Sequence, residues 1–168
     1  KFENEYSELV NGRECIAVNS GTSALHLGLL AAGIGIGDEV IVPSFTFAAT
    51  ANAVSLTGAK PVFADIDPFT FCMDPDFVNS LVNSRTAALM PVHLYGHPAD
   101  MEALNDIASR NGLGVFEDAA QAHLSEVGGK PVGCHGTFGA FSFYPTKNMT
   151  SGEGGMVVTE DSALAKKV

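Results

Sequence analysis

Helix-like and strand-like segments alternate along most of this chain. The helix pattern SGTSALHLGLLAAG is followed by four short apolar runs, and a segment with helical spacing separates each run from the next: GDEVIVPS, KPVFADI, AALMPVH and GVFEDAA. Parallel strands need such crossover segments, because the chain must return to the same edge of the sheet before the next strand begins. The alternation therefore predicts an α/β fold with a mainly parallel sheet sandwiched by helices.

The final part of the chain carries two more apolar segments, TFGAFSFYP and GGMVVTE, and the connection between them contains Lys147. With 168 residues, 46% of them hydrophobic, the chain is long enough for one sizeable core. Its last residues, DSALAKKV, have the pattern of a helix that continues. We therefore expect the chain to be part of a longer protein.

Composition excludes several classes of protein. Nine basic against nineteen acidic residues give a net charge of −10, which would repel the phosphates of a nucleic acid. No apolar stretch reaches the roughly 20 residues of a membrane span, and the polar start KFENEYSELV lacks the pattern of a signal peptide. We expect a soluble, cytoplasmic protein that binds neither nucleic acid nor membrane.

The cysteines and histidines form no metal-binding pattern. The three cysteines are far apart and include no C-x-x-C pair, so they are expected to be reduced, apolar residues. His93 and His97 are four residues apart, but the neighbouring Gly96 and Pro98 disfavour a shared helical face. No metal site is expected.

Gly33, Gly35 and Gly37 imitate part of a dinucleotide-binding fingerprint. That fingerprint requires glycines after a strand and at the start of a helix, whereas these glycines follow a predicted helix and precede a strand. We expect them to end the helix and turn the chain. Binding of a nicotinamide cofactor at this place is disfavoured.

The segment SGTSALHL is a candidate anion site, because Gly21, Thr22 and Ser23 lie where a helix begins. Free backbone N–H groups and the positive end of the helix dipole would hold a phosphate there, with two hydroxyls added. The alternative is plain N-capping by Ser20 or Thr22, without any ligand.

Asp118 follows the apolar run GVFE directly, at the predicted carboxyl end of a strand. Ligands of open α/β sheets bind at this end, so a carboxylate here is a candidate partner for a cationic group. The alternative is a solvated loop acid that caps the next helix. Glu117 points to the other face of the strand, so at most one of the two faces a site.

Lys147 follows an aromatic run that includes Phe141, Phe143 and Tyr144. Packing against such residues would lower the pKa of the amine and make it a nucleophile able to form a Schiff base. The alternative is a lysine whose apolar stem lies along the edge of the sheet while its amine stays in water.

Four stretches occur in order along the chain: AVNSGTSALHLGL, GDEVIVPSFTFAATANA, VFEDAAQAH and FSFYPTKNMTSGEGGMV. Together they resemble the DegT/DnrJ/EryC1/StrS sugar aminotransferases, which are pyridoxal-phosphate enzymes of the aspartate-aminotransferase fold. The resemblance covers nearly the whole chain. It implies that residues 1–168 are part of the cofactor-binding large domain, without the small C-terminal domain and the extreme N-terminus of the family.

The resemblance implies roles for four residues around the cofactor ring. Lys147 would form the Schiff base with pyridoxal phosphate and later shuttle a proton. Asp118 would pair with the protonated pyridine nitrogen, which lets the ring withdraw electrons. Gln121 would bind the phenolic oxygen, and Phe47 would stack on the ring face.

The resemblance also assigns the phosphate of the cofactor to Thr22 and Ser23 at the helix start and to Ser142, five residues before Lys147. This assignment agrees with the anion site that the helix start predicts on physical grounds.

The reaction implied is a two-step transamination. Glutamate or glutamine would give its amino group to the cofactor, which would pass it to the keto group of a nucleotide-linked deoxysugar for polysaccharide or secondary-metabolite synthesis. The family works as homodimers whose active sites borrow residues from the partner. Two alternatives stay open: a cofactor-holding regulatory module on the same scaffold, and a sugar dehydratase of the same family, a branch that carries histidine in place of this lysine.

Overall fold

The computed structural model describes all 168 residues. Seven strands form one twisted sheet, and two short strands form a separate hairpin. The strands of the large sheet are β1 (Glu14–Val18), β2 (Glu39–Pro43), β3 (Lys60–Ala64), β4 (Thr86–Leu89), β5 (Gly114–Asp118), β8 (Phe138–Ser142) and β9 (Gly155–Thr159). The hairpin strands are β6 (Glu126–Val127) and β7 (Lys130–Pro131).

Six α-helices surround the large sheet: α1 (Phe2–Leu9), α2 (Gly21–Ala31), α3 (Ala49–Leu56), α4 (Pro75–Leu81), α5 (Met101–Asn111) and α6 (Ser162–Ala165). A 3₁₀ turn, Leu94–Gly96, follows β4. None of the helices is both long and apolar enough to cross a bilayer.

The strand order in the large sheet is β1-β9-β8-β5-β4-β2-β3. All neighbours from β8 to β3 are parallel, whereas β9 runs antiparallel to both β1 and β8. The predicted α/β fold with a mainly parallel sheet is confirmed. The antiparallel edge was not predicted, and β1 and α1 were not assigned from the sequence.

Alternate residues of each strand enter different parts of the core. In β2, Val40 packs in the cluster beneath α2 and α3, whereas its neighbour Ile41 packs in the cluster beneath α4 and α5. Both residues are fully buried. Burial on both faces explains why the central strands read as continuous apolar runs.

Side-chain caps set the starts of several helices. Ser20, Asp74 and Asp100 accept hydrogen bonds from backbone N–H groups in the first turns of α2, α4 and α5. Gly112 adopts a left-handed conformation after α5, which an L side chain disfavours. Gly33 likewise has a φ of +87° after α2, so this glycine ends the helix and turns the chain as expected.

The segment with helical spacing between the runs GDEVIVPS and KPVFADI is FTFAATANAVSLTG, which predicts a helix from Phe45, but α3 begins four residues later, at Ala49. Its first residues instead form a loop at the carboxyl end of β2. The apolar pattern alone did not reveal this loop. Its side chains line the cavity described next.

Candidate active site

A cavity of about 570 Å³ lies at the carboxyl ends of the parallel strands. Seven residues were given a role at the cofactor ring or its phosphate, and six of them line the cavity: Thr22, Phe47, Asp118, Gln121, Ser142 and Lys147. The seventh, Ser23, does not. The cavity therefore brings together residues that are up to 125 positions apart, from Thr22 to Lys147.

One end of the cavity is the start of α2. Gly21 and Thr22 lie in the first turn of this helix, so their backbone N–H groups have no intrahelical acceptor, and both residues line the cavity with Ser20. Ser142 contributes a hydroxyl from the end of β8. These groups form a cradle of donors at the positive end of a helix dipole, which suits a phosphate.

Ser23 is engaged in the helix cap instead. Its backbone N–H donates to Ser20 Oγ over 3.1 Å, and the Ser20 hydroxyl donates to Ser23 Oγ over 3.0 Å. Ser20 therefore caps α2 through the backbone N–H of Ser23, as the alternative interpretation predicts. It coexists with the donor cradle that Gly21 and Thr22 form.

The helix start and the end of β8 are in close contact. A Cβ atom built on Gly21 would lie 2.7 Å from the Cβ of Ser142, closer than real Cβ atoms approach. A Cβ atom built on Gly155, at the start of β9, would lie still closer to the carbonyl oxygen of Ser20. Glycine at these positions is what lets the cradle close.

Asp118 forms the buried part of the cavity wall, with 5% of its surface exposed. Its Oδ2 accepts a hydrogen bond from Thr50 Oγ1 over 2.7 Å, and its Oδ1 accepts one from the Ala120 N–H over 3.2 Å. Burial raises the pKa of this carboxyl, although both bonds and the nearby Lys147 and His93 act in the opposite direction. This is no solvated loop acid, since its charge lies in a buried site.

Glu117 points to the opposite face of β5, as the alternation of side chains along a strand predicts. It is fully buried, and its carboxylate accepts hydrogen bonds from the N–H groups of Gly133, His135 and Gly136 and from His93 Nε2. The Ala99 N–H donates to His93 Nδ1, so the proton of that imidazole is on Nε2. Glu117 thus has four donors, whereas Asp118 has two and faces the cavity.

Gln121 has a defined orientation. The backbone N–H of Tyr95 donates to its Oε1 over 2.8 Å, and a backbone N–H cannot accept. The amide NH₂ of Gln121 is therefore available as a donor on the side away from Tyr95. Gln121 lines the cavity, so it can meet an acceptor such as a phenolate oxygen there.

Lys147 lies in the turn that follows β8, where its backbone N–H donates to the carbonyl of Tyr144 over 2.9 Å. Phe141 and Phe143 are buried in the core cluster beneath α1, and neither lines the cavity. The expectation that the aromatic run encloses the amine is therefore wrong, because alternate aromatic side chains belong to the core. Tyr144 is the one aromatic residue of this run that borders the cavity with Lys147.

Phe47 lies in the loop between β2 and α3 and is 71% exposed. It borders the cavity together with Thr46. An exposed aromatic ring at a cavity mouth can stack on a planar ligand that enters the cavity.

Sequence reasoning missed Thr46 and Thr50. They lie four residues apart in a loop and helix start that are otherwise apolar or aromatic, and their hydroxyl oxygens are 2.9 Å apart. Threonine at this spacing next to a strand end was the available signal.

Comparison with known proteins gives one consistent result. The sequence profile of the DegT/DnrJ/EryC1/StrS aminotransferase family matches residues 1–168. Over 168 residues the chain is 50% identical to the pleiotropic regulatory protein of Geobacillus stearothermophilus, covering 99% of this chain and 45% of the relative. It is 48% identical to the GDP-perosamine synthase of Caulobacter vibrioides, covering 100% of this chain and 45% of the relative.

Among solved structures, NtdA of Bacillus subtilis with bound cofactor PMP superposes with a TM-score of 0.93. It is 41% identical, and the match covers 99% of this chain and 38% of that protein. The chain thus spans less than half the length of the relatives it matches.

Proposed function

The chain belongs to the DegT/DnrJ/EryC1/StrS aminotransferase family, and from this membership we propose that the protein is a pyridoxal-phosphate-dependent sugar aminotransferase. It moves an amino group from glutamate or glutamine to the keto carbon of a nucleotide-linked deoxysugar. The relative named GDP-perosamine synthase supports a sugar nucleotide as acceptor. NtdA with bound PMP, the amine form of the cofactor, supports pyridoxal phosphate.

The residues of the cavity fit this cofactor. Asp118 supplies a buried carboxylate with only two hydrogen bonds, which suits the protonated nitrogen of a pyridine ring. Gln121 supplies an amide donor for the phenolic oxygen, and Phe47 supplies a face for the ring. Lys147 borders the same cavity and supplies the amine.

The phosphate of the cofactor would occupy the donor cradle. Thr22 and Ser142 supply hydroxyls and the first turn of α2 supplies N–H groups. Ser23 takes part through the cap that orders this turn, since its N–H and hydroxyl both meet Ser20.

When bound, pyridoxal phosphate supplies an aldehyde that condenses with amines and a ring that withdraws electrons from the adjoining carbon. Lys147 would hold the aldehyde carbon through its Nζ. Once the amine of the donor amino acid has displaced it from that carbon, the freed Nζ would accept and return the proton that moves during amino transfer. Its side chain forms no salt bridge in the structure, so no ion pair must break before it acts. Asp118 would pair with the ring nitrogen and favour its protonated form.

The observation that carries the proposal is the meeting of Lys147, Asp118 and the donor cradle in one cavity. The test is to incubate the protein with pyridoxal phosphate, reduce it with borohydride and map the labelled peptide. We expect label on Lys147, none in a Lys147→Ala variant, and wild-type labelling in a Lys130→Ala variant. Label on another lysine contradicts the assignment.

A regulatory module that holds the cofactor without transamination is the second candidate, favoured by the name of the Geobacillus relative, pleiotropic regulatory protein. Added glutamate or glutamine separates the two. An aminotransferase converts the yellow aldehyde form of the cofactor to the near-ultraviolet-absorbing amine form, whereas a regulatory module leaves the spectrum unchanged. A sugar dehydratase is disfavoured because the residue at the matching position is Lys147, not histidine.

We further propose that the chain corresponds to the cofactor-binding large domain, and that the protein works as a homodimer. Its three cysteines form no disulfide, which supports a reducing compartment such as the cytoplasm as the place of the reaction.

A further inference from the structure

The carboxylate of Asp118 has only one side-chain partner. Thr50 Oγ1 lies 2.7 Å from its Oδ2, and the Ala120 N–H meets its Oδ1 over the longer distance of 3.2 Å. Both bonds are made to the same carboxylate, and a hydrogen bond to a charged group strengthens as it shortens. Thr50 is therefore the strongest fixed contact of this side chain.

The direction of the hydrogen bond between Thr50 and Asp118 follows from which group carries a proton. An ionised carboxylate only accepts, so the single hydroxyl proton of Thr50 points to Asp118. Thr50 is fully buried in the first turn of α3, so its hydroxyl is shielded from bulk solvent. Its hydroxyl can therefore serve the carboxylate alone.

The Thr50 hydroxyl also accepts one hydrogen bond. Thr46 Oγ1 lies 2.9 Å from Thr50 Oγ1, and since Thr50 donates to Asp118, Thr46 donates to Thr50. Thr46 borders the cavity, whereas Thr50 does not. The two hydroxyls form a threonine chain, Thr46 to Thr50 to Asp118, that begins at the cavity wall and ends on the carboxylate.

We propose that Thr50 is a positioning residue of the aminotransferase site, which holds Oδ2 of Asp118 in place and keeps that carboxylate ionised for a cationic ring nitrogen. This inference rests on the proposed function. With Oδ2 held by Thr50 and Oδ1 by Ala120, the plane of the carboxylate is fixed at two points before any ligand enters. Loss of the Thr50 hydroxyl leaves a buried charge with one weak donor, a state that favours protonation and rotation of the carboxyl.

The test compares Thr50→Val, which keeps the shape but loses the hydroxyl, with Thr50→Ser, which keeps the hydroxyl. The measurement is the affinity of the full-length protein for pyridoxal phosphate, by fluorescence titration. We expect a loss of about 10- to 100-fold for Thr50→Val, the range that a charge-assisted hydrogen bond gives, and near wild-type affinity for Thr50→Ser. Thr57→Val is the matched control, because Thr57 ends the same helix and its hydroxyl donates to the Val54 carbonyl.

A cofactor analogue with carbon in place of the ring nitrogen distinguishes loss of the Asp118 orientation from a general disturbance of the cavity. The analogue has no ring N–H for Asp118, so wild type and Thr50→Val should bind it equally. An equal loss for both ligands in Thr50→Val, or no loss for pyridoxal phosphate, overturns the inference. Should Thr50→Val not fold, Thr46→Val carries the same comparison, with a smaller loss expected.

Asp118→Asn distinguishes the failure of this inference from failure of the proposed function. If Asp118→Asn lowers affinity for pyridoxal phosphate but not for the analogue, Asp118 meets the ring nitrogen, and an unaffected Thr50→Val then refutes the role of Thr50 alone. If Asp118→Asn binds both ligands as wild type does, the proposed role of Asp118 itself fails.

Discussion

At the scale of single residues, two neighbouring carboxylates on β5 have opposite surroundings. Burial alone would raise the pKa of Glu117, but the hydrogen bonds from His93, Gly136 and Gly133 outweigh it and hold the pKa below its ordinary value of 4.5. Burial dominates at Asp118 and raises its pKa. On one face of the strand, the carboxylate of Glu117 therefore has its hydrogen bonds filled and stabilises the fold. On the other face, the carboxylate of Asp118 is available to pair with a cation.

We predict that Glu117→Gln destabilises the protein by about 3 kcal/mol or more, because its amide NH₂ cannot accept the N–H donors that now meet the carboxylate. The lowered pKa means that Glu117 stabilises the fold fully above pH 4.5, and that this contribution is lost as the pH falls through the folded-state value. Urea unfolding at several pH values checks both effects.

The control for this prediction is Glu126→Gln, since Glu126 is exposed in the hairpin. It should unfold as wild type does. A Glu117→Gln variant that keeps the wild-type loss of stability below pH 4.5 would contradict the assignment.

Sequence reasoning reached the residues of the site by different routes. The position of Asp118 at a strand end and the helix start at Gly21 followed from local physical rules. The alternation of a strand also predicted that Glu117 faces away from Asp118. Thr50 was not identified from the sequence, because its contact with Asp118 joins positions 68 apart and no local pattern encodes it.

At the scale of elements, the donor cradle depends on close packing of α2 against β8. We predict that Gly21→Ala lowers the affinity for pyridoxal phosphate about tenfold, because the new methyl group would overlap Ser142 and push the helix start away; such overpacking costs about 1–3 kcal/mol. Fluorescence titration measures the affinity. Gly35→Ala, whose nearest neighbour lies at 3.8 Å, is the control and should bind normally. Equal affinities of the two variants would refute the steric argument.

Helix α1 is tied to the same cradle by a second hydrogen-bonded chain. His123 Nε2 donates to the Ser142 carbonyl over 2.8 Å, so its Nδ1 accepts from the Tyr6 hydroxyl, 2.9 Å away. We predict that Tyr6→Phe leaves a buried imidazole nitrogen unpaired and costs about 1–3 kcal/mol in urea unfolding, with faster hydrogen exchange in α1. Tyr144→Phe, at a half-exposed tyrosine, should change neither measurement. Unchanged exchange in α1 of Tyr6→Phe would show that the contact does not tether the helix.

Neither α1 nor β1 was assigned from the sequence, and the structure explains why. Strand β1 carries a short apolar run, CIAV, but it lies at the edge of the sheet with two of its five residues exposed. Its only partner is β9, near the other end of the chain, so the local alternation of helices and strands does not place it. Helix α1 buries one residue, Tyr6, and reads as a polar segment.

At the scale of the whole molecule, the order of the strands is not encoded locally. The parallel part followed from the alternation of helices and strands, whereas the pairing of β1 with β9 joins the two ends of the chain. That pairing places the α2 start, which follows β1, beside Gly155 of β9. The site is therefore a property of the assembled sheet.

This assembly predicts how the cofactor stabilises the protein. The cavity draws residues from the starts of α2 and α3, from the ends of β5 and β8 and from the turn that holds Lys147. Pyridoxal phosphate at 100 times its dissociation constant should therefore raise the free energy of unfolding by about 2.7 kcal/mol in one cooperative step. Hydrogen exchange should slow in all of these segments together.

The control is Asp118→Asn at the same cofactor concentration. Its free energy of unfolding should rise less, because its affinity for the cofactor is lower. Protection confined to the turn around Lys147 would mean that the cofactor attaches to the lysine without occupying the site.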